Sequence, residues 1–388
     1  MNEIDIPKGW EKVKLGDLLE EYCERNDNQK YKVVAVGKYG IRKREDIYTK
    51  ELSKDTSKNK IIMKDTLTIG MGSEQIDIGI LIEDEKYCVS PAYTTYKIKN
   101  CNSKFLEYYM EYLNPKLSDL FMIVSARQGK SVDKEGLLRY KVMLPSIKEQ
   151  EKIVEILENI DFIINRHKKL LEEKNQFIKS LFANMFGKGN CELKKLKDIS
   201  VIKGEYGSNV AATDYNVMLP RYVRITDITD DGRLNKNSLV SPKNELYIEK
   251  YLLTYGDILF ARTGATVGKT YKYVENDGRC IYAGYCIRFR VDTNIVDPEY
   301  ILRYTQSDRY LKWVEIAQRG GAQPNINSKQ YGNLLIPIPP MEEQNKFKTI
   351  VTLVEKQKTN LNKKIENYII LKKGLMQQLL TGKIRVKI

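Results

Sequence analysis

The stretch closest to a reaction motif is Ala261–Thr270, ARTGATVGKT. A phosphate-cradling loop needs G-x-x-x-x-G-K-[ST], so that backbone N–H groups surround the phosphates and the lysine reaches them. Five residues before Gly268 stands Thr263, with Gly264 one position off, and no βαβ pattern or acidic Mg²⁺ partner surrounds the stretch. It reads instead as a glycine-containing turn between strands, or as a DNA-facing loop whose Arg262, Thr263 and Lys269 reach phosphates or guanine edges.

Other chemistries fare no better. A methyltransferase needs a glycine-rich cofactor loop and an N/D-P-P-Y/F tetrapeptide; Ser90–Tyr93, SPAY, lacks both the amide or acid and the second proline, and reads as a strand edge. Metal-dependent nuclease chemistry needs clustered carboxylates, and none stands out. The only histidine, His167, falls at a helix-seam position. Six cysteines (Cys23, Cys88, Cys101, Cys191, Cys280, Cys286) form no CxxC pair, which argues against structural zinc. A disulfide framework is not expected in a chain of this size. The reading is a chain with no catalytic residues and no metal.

Binding is better supported. The 388 residues carry 65 Lys+Arg against 51 Asp+Glu, net +14, with 26 tyrosines. An AT-rich genome is one source of that bias. A nucleic-acid partner is the other, since basic surfaces bind phosphate backbones by releasing counterions. Basic, amide and aromatic residues interleave in five stretches taken as loops. They carry Lys38, Tyr39, Arg42, Lys43 and Arg44; Arg127, Gln128 and Lys130; Arg221, Tyr222 and Arg224; Arg262, Thr263 and Lys269; and Arg319, Gln323, Asn325 and Asn327. Arginine addresses guanine bidentately, asparagine and glutamine address adenine, and lysine holds phosphate.

What positions these residues is a repeat. LPSIKEQEKI (Leu144–Ile153) recurs 194 residues later as IPPMEEQNKF (Ile338–Phe347), and GKSVD (Gly129–Asp133) answers QPNIN (Gln323–Asn327). After each motif, apolar residues step by four and three. One stripe is Ile153, Leu157, Ile160, Ile164, His167, Leu171, Lys174, Ile178, Leu181, Met185. The other, 194 further on, is Phe347, Val351, Val354, Lys358, Leu361, Ile365, Tyr368, Lys372, Leu375, Leu379. A 3.5-residue period is a coiled-coil seam. Ser146 and Glu149 suggest a capping box, Pro339 and Pro340 suit a helix start, and Gly187 and Gly382 suit helix stops. Residues 146–186 are charge-neutral and 342–388 carry +7. The expected pairing is therefore antiparallel within the chain, with an intermolecular dimer as the other option.

Around the helices lie two β-rich segments, with strands expected in YKVVAVG, TLTIGMG, IDIGILI, DILFAR, KTYKYV and GYCIRFRV. Asp65-Thr-Leu-Thr-Ile answers Asp257-Ile-Leu-Phe-Ala, and Tyr93 falls in register with Tyr285. The expected fold class is α+β, a pseudo-twofold repeat of residues 1–144, helix 145–187, residues 188–337, and helix plus tail 338–388. No run of eighteen apolar residues could span a membrane and MNEIDIPKGWEK has no apolar signal region, so a cytoplasmic location is expected.

This layout resembles the specificity subunit of Type I restriction-modification systems. LPSIKEQEKI and IPPMEEQNKF with their helices are the strongest marks; GKSVD, QPNIN, DILFARTG and RYVRITDI support them. The resemblance implies two target-recognition domains, each reading one half of a split, asymmetric double-stranded DNA site. It implies helices that set the unread spacer and bind two methyltransferase subunits, with motor-nuclease subunits completing the enzyme. S-adenosylmethionine, ATP and Mg²⁺ would then belong to partner subunits and no cofactor to this chain. The competing expectation is a two-headed RNA-binding or structural adaptor.

Overall fold

The computed structural model describes residues 6–38, 40–44, 47, 55–72, 74–125, 129–186, 191–243, 248–318 and 324–387. By internal contacts the chain forms two units, one of Met1–Lys168 with Lys363–Ile388, the other of Lys169–Asn362. This partition differs from the four-segment one expected from sequence, because each long helix is divided between two hydrophobic cores.

In the first unit, runs rich in β-branched and apolar residues make buried strands. The antiparallel sheet has the order Leu19–Glu21, Thr94–Ile98, Thr66–Ile69, Ile78–Leu81. Thr66–Ile69 and Ile78–Leu81 are buried at every position, as strands covered on both faces should be. Helix α1 (Ser103–Phe121) covers this sheet through Phe105, Leu106, Tyr109, Met110, Leu113 and Leu117, a three-and-four spacing that makes one apolar face. Its start is set by Asn102, whose side chain accepts the Phe105 N–H at 3.0 Å. An antiparallel ribbon, Met122–Ser125 with Gly129–Val132, follows, then α2 (Lys134–Arg139), capped by Asp133.

Helix α3 (Ile147–Phe186) has 40 residues, a length of about 60 Å at 1.5 Å per residue. In the second unit the sheet order is Ser200–Tyr206, Cys286–Val291, Asp257–Ala261, Thr270–Lys272, the same antiparallel arrangement as in the first. Beside it Arg221–Val223 pairs in parallel with Cys280–Tyr282. The short α4 (Ile248–Tyr251) leads into the sheet. Where the first unit has α1, the second has α5 (Pro298–Tyr304) and α6 (Asp308–Ala317), restarted by the Ser307 cap. Then come α7 (Ser328–Gly332) and α8 (Met341–Leu379), the latter with 39 residues.

The two long helices pair antiparallel inside each unit. In the first, Ile153, Val154 and Leu157 of α3 share a core with Met376, Leu379 and Leu380. The His167 ring lies 5.7 Å from Tyr368, and Lys372 pairs with Asp161 at 3.0 Å. In the second, Ile178, Phe182 and Met185 pack with Phe347, Val351 and Val354, and Lys174 Nζ donates to Gln357 at 2.6 Å. Ile160, Ile164, Leu361 and Ile365 are buried too, and Leu171, Leu181, Tyr368 and Leu375 are half-buried. His167 Nδ1 sits 2.7 Å from the Ile163 carbonyl. That oxygen only accepts, so Nδ1 carries the proton.

The repeated E-Q motif turns out to be a lock. Gln150 and Gln344 are fully buried. Gln150 accepts the Asn102 N–H and donates to the Pro145 carbonyl, at 2.8 and 2.9 Å. Gln344 accepts the Asp297 N–H and donates to the Pro339 carbonyl, both at 2.8 Å. Each glutamine thus ties the start of its long helix to the residue capping the domain's own helix. The expected Ser146–Glu149 capping box is only half formed. The Glu149 N–H reaches Ser146 Oγ at 3.4 Å, but both Glu149 carboxylate oxygens accept from Arg385, at 2.6 and 2.7 Å. A bidentate guanidinium outcompetes a single backbone amide for a buried carboxylate. Gly382 does take a positive φ, +70°, after α8, and Gly187 lies outside the described residues.

Candidate nucleic-acid interface

Asp257–Ala261 and Thr270–Lys272 are antiparallel partners, so ARTGATVGK is a hairpin loop. A phosphate-binding loop would lead from its strand into a helix. Gly264 and Gly268 take positive φ, +70° and +87°, which a tight reversal requires. Lys269 Nζ is held by Asp230 at 2.7 Å.

This hairpin is zipped to the second motif of its domain. Ile326 N–H donates to the Arg262 carbonyl at 2.9 Å, Gly264 N–H to the Pro324 carbonyl at 3.2 Å, and Thr263 and Asn325 form a bridge. DILFARTG and QPNIN, some sixty residues apart in sequence, are therefore one structural edge. Arg262 is half-buried there. Its guanidinium lies 4.8 Å over the Tyr206 ring, and its Nε–H is donated to Asn325 Oδ1 at 3.4 Å. The exposed Tyr285 supplies the carbonyl that accepts the Arg262 N–H at 3.0 Å.

Tyr206 is raised into place by a bulge. The strand register shifts between Lys203 and Glu205, and Gly204 between them has φ +99°. A Cβ there would stand 2.2 Å from Ser328 Oγ, so only glycine fits. Ser328 Oγ donates to the Gly204 carbonyl at 2.7 Å and Ser328 N–H to the Tyr206 hydroxyl at 3.2 Å. Beside this platform an open groove of about 560 Å³ is lined by Lys197, Lys203, Tyr206, Asn327 and Lys329 among others. Asn327 is exposed and spends its side chain capping α7 through the Gln330 N–H.

Three residues expected at a DNA surface are structural instead. Arg221 is 7% exposed and donates to the Asn235 carbonyl. Tyr222 is 3% exposed; its hydroxyl lies 2.6 and 2.9 Å from the Ser208 and Val210 carbonyls, and burial pushes its pKa up. PRYVRITD, expected as a loop, holds an interior strand at Arg221–Val223. Arg224 is committed to buried Asp227 at 2.8 Å and to Ser238 at 3.0 Å; the Asp227 hydrogen bond holds its pKa above the ordinary arginine value.

In the first domain, Arg42 and Lys43 are exposed on the strand Gly40–Lys43 and Arg44 half-buried beyond it. Lys38 pairs with Glu74 at 2.5 Å, and Lys130 is exposed on the ribbon. Tyr39, Arg127, Gln128, Arg319 and Gln323 lie outside the described residues. Tyr206, Lys203, Lys197 and Lys329 are not among the residues expected from sequence. The available signal is GEYG (Gly204–Gly207) at the end of the strand run SVIKGEY, an aromatic set between two glycines. Among the described residues no cluster of His, Cys, Asp and Glu is arranged to hold a metal ion, and no helix is long and apolar enough to cross a membrane.

The family model described as "Type I restriction modification DNA specificity domain" matches residues 7–175 and again 188–370. The chain belongs to the Type I restriction-modification DNA specificity family, and it is a specificity subunit with two target-recognition domains. Across its whole length it is 26% identical to the Type I restriction enzyme MjaVIII specificity subunit of Methanocaldococcus jannaschii, covering 96% of that protein. It is also 30% identical over 196 residues, 49% of this chain and 45% of the relative, to the putative MjaX specificity subunit of the same organism. Two solved structures share the fold at 15% identity. One comes from work on complex assembly and conformational transition of the type I R-M system (TM-score 0.59; 98% of this chain, 100% of that one). The other is a Type I S subunit from M. genitalium (TM-score 0.54; 98% and 97%).

Proposed function

We propose that this chain is the non-catalytic DNA reader and scaffold of a Type I restriction-modification complex, acting in the cytoplasm. Each domain reads one half of an asymmetric duplex site. The paired helices α3 and α8 set the unread spacer and hold two methyltransferase subunits, with motor-nuclease subunits joining for cleavage. S-adenosylmethionine, ATP and Mg²⁺ are bound by those partners. The observation that carries this reading is the pairing of like frame with unlike surface. The Gln150 and Gln344 locks repeat in two bonds, to the N–H of the capping residue and to the carbonyl of the proline before the long helix, whereas Arg262 on the second domain's edge corresponds to Gly70 in the first. One frame presenting two edges suits a site with two different halves.

Gel shifts of the assembled complex test this against the adaptor alternative. A bipartite duplex should compete at least a hundred times better than RNA of the same sequence or scrambled duplex, as expected for specific binding. Equal competition by RNA refutes it. One heptad added to α3 alone should break the antiparallel register and abolish assembly. Matched heptads in α3 and α8 should lengthen the spacer or abolish binding, and an unchanged spacer contradicts the helices' role.

A further inference from the structure

Arg262 is held in place without spending its terminal nitrogens. Its guanidinium carbon lies over the Tyr206 ring, 4.8 Å from the ring centre, and Asn325 takes the Nε–H. Among the described residues, no hydrogen bond or ion pair engages the two Nη groups. Tyr206 is itself fixed by the Ser328 N–H and by the bulge at Gly204, and Asn325 by the bridge to Thr263. A side chain held over a ring and at Nε has already lost much of its rotamer freedom, so it binds at reduced further entropic cost. What it still offers is the planar two-donor end of a guanidinium, a shape that a lysine cannot reproduce.

We propose that Arg262 is the base-reading residue of the second domain and that it grips O6 and N7 of a guanine in the major groove. The phosphates on either side fall to the neighbouring groove, where Lys203 and Lys329 are exposed and Lys197 half-exposed. That division of labour is why a base edge, rather than a phosphate, is assigned to Arg262. Point charges suffice for phosphate and three stand in the groove, whereas a pre-set planar fork matches the two acceptors of guanine. The first domain has Gly70 at the corresponding position. A Cβ there would meet Asp77 Cβ at 2.9 Å and the Tyr93 ring at 3.1 Å, so that edge is filled and carries no fork. Arg262 therefore makes the two half-sites different. This inference rests on the DNA-reading role proposed above.

The test uses the complex assembled with its modification subunits, and its methylation motif is read by sequencing. The wild-type motif should contain a guanine in the half that residues 188–337 determine. Arg262→Lys should lower the preference for guanine at that one position by about ten- to hundred-fold, the range a bidentate pair supplies, and leave the other half intact. Separately, 7-deazaguanine at that position should weaken wild-type binding about tenfold, because one of the two acceptors is gone, and should cost Arg262→Lys nothing further. Uniform weakening across all sequences by Arg262→Lys makes Arg262 a phosphate contact and overturns the proposal. If the variant does not assemble, the deazaguanine series decides alone, and no loss at any guanine of that half overturns it. Binding by the wild-type complex that ignores duplex sequence altogether is a different result: it removes the DNA-reading role itself.

Discussion

Gln344→Ala tests the lock that joins the second domain to its helix. Gln344 is 1% exposed. Its side chain accepts the Asp297 N–H at 2.8 Å and donates to the Pro339 and Ile295 carbonyls at 2.8 and 3.2 Å. Alanine leaves all three backbone groups unpaired. A buried polar group without a partner costs about 1–3 kcal/mol. Water entering the vacated space offsets part of that sum, so a loss of about 3–5 kcal/mol is expected, a large share of a typical folding free energy. Each unit contains one of the chain's two tryptophans, Trp10 in the first core and Trp313 against the second. Urea unfolding followed by Trp313 fluorescence in a Trp10→Phe background therefore reports on the second unit. Gln344→Glu should be at least as damaging, since it sets carboxylate oxygen against carbonyl oxygen. Gln150→Ala should do the same to the first unit, followed through Trp10. A cost below about 1 kcal/mol for Gln344→Ala would mean that these bonds are incidental.

Three further outcomes follow from the geometry. Arg385→Ala strands the buried Glu149 carboxylate and should cost about 2–4 kcal/mol in thermal unfolding; Arg385→Ala with Glu149→Gln should recover part of that, and no recovery contradicts the pairing. Burial pushes the Glu299 pKa up, but Arg303 and Lys272 outweigh it and hold the group below its ordinary 4.5. A depressed folded value gives stability that is present at neutral pH and lost as pH falls through it, so the advantage of wild type over Glu299→Gln should shrink below about pH 4.5; a gap that stays constant down to pH 2 refutes the assignment. Lys203→Ala and Lys329→Ala should each reduce the slope of log K against log salt by about 0.9, alike for all duplex sequences; sequence-dependent losses would instead make them base contacts.

Legibility from sequence followed the range of the interaction. The helix seam was readable because its 3.5-residue period is local. Residues placed on it, such as Ile153, Leu157, Val351 and Leu361, are buried. The strand runs are legible for the same reason, as short stretches rich in β-branched, apolar and aromatic residues between turn residues. Glu149 was misread because its partner, Arg385, is 236 residues away, and a local capping pattern was the only cue. Arg221 and Tyr222 are not legible as interior residues because a three-residue strand that opens on one arginine and is followed by another, Arg224, has the composition of a basic loop. The Arg262 edge was half-read. ARTG and QPNIN were both singled out, but nothing local says that residues 262–264 and 324–326 bond to each other or that Gly204 lifts Tyr206 beneath the arginine.

One chain carrying two independent sequence readers is the feature on which the proposed function depends. Its most direct test is to replace residues 188–337 with the corresponding domain of another specificity subunit and sequence the methylated motif made by the assembled complex. One half of the motif should change, and the other half and the spacer should stay as they were. A motif unchanged in both halves, or altered in both, contradicts it.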